Sequence, residues 1–296
     1  MIRIEYNYTS RISVWYFIIL DINFLPPPMT YREFVKETWI WNGIDSNKVP
    51  MILPSYECEL VIHLSVCPSI ELTNGVSFQV PRVHWVGPQT RPWKISPNQT
   101  LNLLSIRFYP GSLYYLYSMD MKYIQNSFPV LDSEKTEQIL SLVSNVSIEE
   151  SKFSNTQLNR KVIEILDALP INKSEIPAYV QFAVLELMQP KSSIIQISKK
   201  IGISKKQLER KFMEVFGVLP SEYKKIHKLL LMIRSSKNYK DSTIPTKLAD
   251  IATEYEYTDQ SHFSNQFKRM AGQTPAEWFL NYKKMSLFYN TDVKEI

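Results

Sequence analysis

Glycine is scarce in this chain, with seven among 296 residues. That leaves little room for a glycine-rich loop whose backbone amides cradle phosphates. Cysteine is scarcer still: Cys58 and Cys67 are the only two. No dense disulfide framework is available, and a reduced, cytoplasmic setting is the expectation. Histidine occurs four times. His63 and His84, with Cys58 or Cys67, are the one set worth weighing as metal ligands, but no His-x-His pair or metal-spaced carboxylate group accompanies them, so no metal and no cofactor are expected. Long hydrophobic runs are missing too. The longest near the start, "ISVWYFIIL", has nine residues between Arg11 and Asp21. It is too short to span a bilayer, and it lacks the small-residue cleavage site of a signal peptide.

What is present describes a globular chain. The apolar fraction is 44% and the aromatic fraction 12%, and the length suffices for two domains that each bury a core. The net charge of +5 is unevenly spread. Lys191 to Met285 holds fifteen lysines and three arginines against nine acidic residues, a balance of +9, which leaves −4 for the rest. A basic third on a mildly acidic body points to a polyanionic partner for that third.

The pattern changes along the chain. "CELVIHLSV" sets Cys58, Leu60, Ile62, Leu64 and Val66 on one face of a half-buried strand. "VSFQVPRVHWVG" and "TLNLLSIRFY" are further strand-like runs, and "GPQTRPWKISPNQ" reads as a turn between them. A short helix is expected at Tyr31 to Thr38. Strands at this spacing suggest a barrel or sandwich. After "YPGS" the pattern turns helical, at Leu113–Tyr117, Ser133–Ser144 and Thr156–Leu169. The expected fold is α+β. A β-rich, barrel-like domain with flanking helices and a helical linker covers residues 1–174. An all-α domain covers 175–285, and 286–296 form a tail.

The all-α part repeats itself. "SKKQLERKFMEVFGVLPSEY" and "DQSHFSNQFKRMAGQTPAEW" align at an offset of 55, pairing Leu208 with Phe263, Phe212 with Phe267, Gly217 with Gly272, Pro220 with Pro275, Glu222 with Glu277 and Tyr223 with Trp278. Each unit reads as helix, turn, helix. Ser204 or Asp259 caps the second helix with a side-chain oxygen. Apolar residues four apart turn inward. Gly217 or Gly272 ends the helix, and a proline opens the next. The outward face of the second helix carries Lys205, Lys206, Glu209 and Arg210 in the first unit, and Gln260, Ser261, Ser264 and Asn265 in the second. These groups suit base edges, and the basic ones suit phosphates as well. His262 and Lys268 on the second helix join the candidate contacts.

On these residues, Ile176 to Trp278 resembles the DNA-binding domain of AraC/XylS-type transcriptional regulators. "IGISKKQLERKF…FGVLPSEY" carries the resemblance, and "IATEYEYTDQSHFSNQFKRMAGQTPAEW" carries it more specifically. It implies two helix-turn-helix units on one connecting helix and binding to double-stranded promoter DNA, with RNA polymerase as a further partner. Glu256 stands where the family has glycine in the second turn, and Tyr257 where it has phenylalanine. The N-terminal fragments "PSYECELVIHLS", "VGPQTRP" and "IRFYPGSL" resemble, more loosely, the β-rich sensor domains that precede this module. That implies a small-molecule effector or a homodimer contact. The apolar spacings in Ser133–Ser144 and Thr156–Leu169 suit either a dimer face or packing on the sheet.

Other readings weigh less. Catalysis by His262 would need an acid or nucleophile beside it, and no such constellation is visible, so no enzyme is expected. Trp39, Trp41, Trp85 and Trp93 suit either a core or a ligand pocket. Arg107, in an apolar strand, either reaches outward or pairs with an anion. The expected function is a sequence-specific DNA-binding transcriptional regulator. The alternative is a non-catalytic module whose helix-turn-helix region contacts another protein.

Overall fold

In the computed structural model, residues 22–144, 155–189, 192–235, 251–253, 255 and 257–278 are described. Three readings made above, the run at 12–20, Glu256 and the tail 286–296, lie outside them.

Strand β3 (Cys58–His63) explains how the first half is built, because its two faces differ in chemistry. It pairs on one side with β8 (Thr100–Phe108) and on the other with β6 (Val83–Val86). β8 in turn pairs with β2 (Val35–Asp45), and β1 (Ile22–Leu25) closes the far edge. The sheet is antiparallel throughout, in the order β1-β2-β8-β3-β6. Because side chains alternate along a strand, Cys58, Leu60 and Ile62 share one face with Leu104, Ile106 and Phe108 opposite them. That face joins the main apolar core. The other face carries Glu59, Val61 and His63, with Arg107, Ser105 and Leu103 as cross-strand partners. A second antiparallel sheet, β5-β4-β7, comprises β4 (Ser69–Leu72), β5 (Ser77–Gln79) and β7 (Trp93–Ile95).

Two local expectations are corrected. Tyr31–Thr38 is not a helix: residues 31–34 form a turn, and β2 starts at Val35. The apolar spacing there mimics a helix, but "VKETWIWNGID" is rich in aromatic and β-branched residues and pairs with β8 along its length. The turn expected within "GPQTRPWKISPNQ" contains β7. The strands form two open sheets, and no closed barrel exists among the described residues.

Helices follow: α1 (Ser112–Tyr117), α2 (Ser133–Val143), α3 (Asn155–Asp167), α4 (Ala178–Met188), α5 (Ile194–Ile201), α6 (Lys205–Phe216), α7 (Pro220–Ser235) and α8 (Gln260–Ala271). Residues 251–253 and 275–278 are also helical. The apolar residues of α2 and α3 are spent inside the chain. Ile139, Val143, Val162, Ile165 and Leu166 lie buried in the same core as Leu60 and Phe212. That core runs from the sheet into α6, α7 and α8. The joint is close at Gly217, where a Cβ would stand 2.7 Å from the Met121 carbonyl oxygen, and where φ is +65°. No helix among the described residues is long and apolar enough to cross a membrane.

Candidate nucleic-acid interface

The two helix-turn-helix units are framed alike. In the first, Ser204 accepts from the Gln207 backbone N–H at 3.2 Å, while the Gln207 side chain accepts from the Ser204 N–H at 2.8 Å. This reciprocal capping satisfies two amides that a helix start leaves unpaired. In the second, Asp259 accepts from the His262 N–H at 2.8 Å. Gly217 and Gly272 end α6 and α8 in the left-handed region, at φ 65° and 75°. A residue with a Cβ disfavours that conformation. The next helices start alike too: Glu222 accepts from the Leu219 N–H at 3.1 Å, and Glu277 accepts from the Thr274 N–H at 2.7 Å.

Between these caps lie two helices of 12 residues each. α6 buries Leu208, Phe212, Val215 and Phe216, and α8 buries Phe263, Phe267, Met270 and Ala271. Lys205, Lys206 and Arg210 are exposed on α6, and Gln260, Ser261, His262, Asn265 and Lys268 on α8. Glu209 and Ser264 are half-buried. Glu209 takes an ion pair from Lys205 at 3.5 Å one turn earlier, so it orients a lysine as well as offering an acceptor. The His262 ring packs edge-on to Tyr257, with centroids 5.7 Å apart.

Some residues were missed from sequence. Arg269 is exposed beside Lys268. Both line a cleft of about 620 Å³ with Lys225 of α7 and Arg91 of the β-rich half. The signal for Arg269 was its place in the last turn of α8. The signal for Arg91 lies in no local pattern, because the cleft joins residues far apart in sequence.

The β-rich half carries a second feature. Its polar sheet face and the smaller sheet enclose a cavity of about 130 Å³. Trp39, Trp41 and Trp93 line it. Trp85 does not, lying instead on the core face against Phe108 at 5.8 Å. Leu230 and Ile233 of α7 also reach the cavity. Arg107 pairs with anions: it meets Glu59 at 2.6 Å and Glu37 at 2.9 Å, and its guanidinium lies 4.0 Å from the Trp39 ring centroid. Burial opposes the charge of Arg107, but Glu59, Glu37 and Glu57 outweigh it and raise its pKa. Burial raises the pKa of Glu37 despite the pull of Arg107 and Lys36.

His63 and His84 stack at 5.3 Å, while Cys58 points to the opposite face of β3. Among the described residues no three His, Cys, Asp or Glu side chains group to hold a metal. Burial lowers the pKa of both histidines, to about 3 for His63 and about 4 for His84. The unfolded chain binds protons near pH 6.5 that these rings refuse when folded. Stability therefore falls as pH drops from about 6.5, toward 4 for His84 and toward 3 for His63, by on the order of 1 kcal/mol per pH unit per histidine. Glu37, with its raised pKa, offsets part of the loss in the more acidic portion of that window. We expect a lower urea midpoint at pH 5 than at pH 7, and His84→Phe should flatten the difference. An undiminished pH dependence in His84→Phe would show that the ring is not the source.

Residues 197–281 match the helix-turn-helix domain family, and residues 23–128 match a family described as a domain of unknown function, DUF6597. No curated protein matches the chain. Among solved structures the chain is distantly similar to ToxT from Vibrio cholerae in its P21 form, at 14% identity and a TM-score of 0.43, covering 88% of this chain and 97% of that one. It is likewise similar to unsaturated fatty acid bound wild-type ToxT from Vibrio cholerae strain SCE256, at 13% identity and a TM-score of 0.42, covering 88% and 93%. The AraC-like transcriptional activator CuxR is similar at 14% identity and a TM-score of 0.28, covering 72% and 86%.

Proposed function

We propose that the chain is a DNA-binding transcription regulator of the AraC type, on the match of residues 197–281 to the helix-turn-helix domain family, and that α6 and α8 enter successive major grooves of promoter DNA. The observation that carries this is the pair of equally capped helices, each with a buried apolar stripe and an exposed hydrogen-bonding face. The connecting helix α7 has 16 residues, so it is about 24 Å long at 1.5 Å per residue. That spacing, with the reading helices set outward from it, suits grooves about 34 Å apart. Lys205, Lys206, Glu209 and Arg210 face the first groove in this reading. Gln260, Ser261, His262, Ser264, Asn265 and Lys268 face the second.

The chain divides functionally at residue 174, with the sheets and helices before it as the regulatory part. Ligand control through the cavity is part of the proposal, since α7 residues line the cavity and also join the two reading units. So are contact with RNA polymerase and a homodimer. The dimer surface lies elsewhere than the α2 and α3 stripes, which the core occupies.

Selection of bound fragments from genomic DNA with the purified protein supplies the target site. On that site Arg210→Ala should weaken binding by about 1–3 kcal/mol, the range for a bidentate contact to guanine. Unchanged affinity would remove Arg210 from the reading face. Asn265→Ala should leave stability within about 0.5 kcal/mol, as for a surface change, yet relax the sequence preference at the half-site read by α8.

A further inference from the structure

The cavity between the two sheets has one end closed in charge and one end left open in hydrogen bonding. At the charged end, Arg107 meets Glu37 and Glu59, Lys36 meets Glu57 at 2.7 Å, and Ser105 Oγ donates to Glu59 at 2.7 Å. The charges there are matched to one another. At the other end His63 is 3% exposed, and neither of its ring nitrogens has a hydrogen-bond partner. The buried Trp93 Nε1 lacks one as well. Ring contacts tie these groups into one wall: His63 stacks on His84, His84 lies 6.1 Å from Phe128, and Phe128 lies 5.1 Å from Trp93. The Nδ1 of His84 is already held by the Pro81 carbonyl at 2.8 Å.

A buried polar group without a partner is destabilising, and water or a ligand ordinarily supplies the partner. The side chains that carry these three nitrogens, His63 and Trp93, both line the cavity. Its volume of about 130 Å³ compares with the roughly 150 Å³ of an apolar cavity that takes up benzene. A single ring fits this volume. The imidazole of His63 is neutral at physiological pH, since burial lowers its pKa to about 3. It therefore offers one donor and one acceptor rather than a cation.

We propose that this cavity binds a small, uncharged, single-ring molecule bearing one hydroxyl or carbonyl oxygen, which accepts from Trp93 Nε1–H and shares a hydrogen bond with His63. A carboxylate is disfavoured because Arg107 already serves Glu37 and Glu59, and Arg82 at the His63 end is turned to the His63 carbonyl oxygen at 3.3 Å. This assignment rests on the reading of the β-rich half as the regulatory part, and it names the ligand class of that part.

The test uses the full chain without DNA. Phenol, toluene and benzoate serve as probes, read by calorimetry and by the shift in melting temperature. Phenol should bind saturably and at least about tenfold more tightly than toluene, with benzoate weakest. His63→Phe keeps a ring but removes both nitrogens, and should reduce the preference for phenol over toluene to less than twofold while toluene still binds. Trp93→Phe removes one donor and should lower the preference part-way, which keeps the test decisive if His63→Phe does not fold. The proposal is overturned by no saturable binding of phenol, by equal affinity for toluene, by tighter binding of benzoate, or by a preference that survives both substitutions. A DNA titration of the same wild-type sample separates the two readings. Protein that binds DNA but not phenol sinks the ligand assignment alone, and protein that binds phenol but no DNA sinks the regulator assignment.

Discussion

Phe267→Ala should cost about 3–5 kcal/mol of stability, the range for truncating a large buried aromatic. The side chain is 1% exposed. It packs edge-on against Phe263 at 5.9 Å and Trp278 at 5.8 Å, so it ties α8 to the helix that follows. A domain of ordinary stability has only about 5–15 kcal/mol in total. Most of the second unit's margin would go. Denaturant unfolding followed by tryptophan fluorescence measures it, because Trp278 reports on the same cluster. Asn265→Ala is the control from the opposite face of α8, where the side chain is exposed. If Asn265→Ala unfolds early, or Phe267→Ala stays stable yet loses DNA, the two faces of α8 have been assigned the wrong way round.

Arg107→Met should destabilise the β-rich half by a comparable amount, about 3–5 kcal/mol, as expected when one partner of a buried ion pair is removed. The guanidinium is the cation between Glu37 on β2 and Glu59 on β3, its direct cross-strand neighbours. Their side chains are 13% and 19% exposed, so solvent screens them little. Without Arg107 they repel one another and Glu57. The loss should shrink toward pH 5, because protonating a buried carboxyl relieves the repulsion, and Glu37 already leans that way. The triple variant Arg107→Met, Glu37→Gln, Glu59→Gln should recover most of the loss at pH 7. Urea midpoints at pH 7 and pH 5 for the single and triple variants decide this. A single variant as stable as wild type at pH 7 would show that the cluster contributes nothing.

The helix-turn-helix units were legible in the sequence because their determinants are local. Caps at Ser204 and Asp259, glycines at 217 and 272, and apolar residues four apart all act within a dozen positions. Strand β3 was legible for the same reason, through alternation at Cys58, Leu60 and Ile62. The failures are non-local. Tyr31, Phe34 and Val35 have helical spacing, and only pairing with β8, some 70 residues later, makes Val35 the start of a strand. Arg107 was ambiguous because its partners Glu37 and Glu59 lie 70 and 48 residues away. His63 was weighed as a metal ligand and Trp93 as core or pocket, and their meeting at one cavity follows from the two sheets that bring them there. On α8, Arg269 is exposed next to Lys268, yet reading the helix by its polar stripe alone passed over it.

The central claim is that the basic helical third grips DNA through charge and reads it through α6 and α8. The most direct measurement is the affinity of the full chain for its selected site as a function of salt, for wild type and Lys206→Ala. A protein that neutralises several phosphates loses affinity linearly in log[salt], with a slope of about −0.9 per phosphate on B-form DNA. Wild type should show a steep negative slope, reduced by about 1 in Lys206→Ala, whose lysine then no longer holds a phosphate. An affinity that is flat with salt, or no preference for the selected site over random DNA, would contradict it.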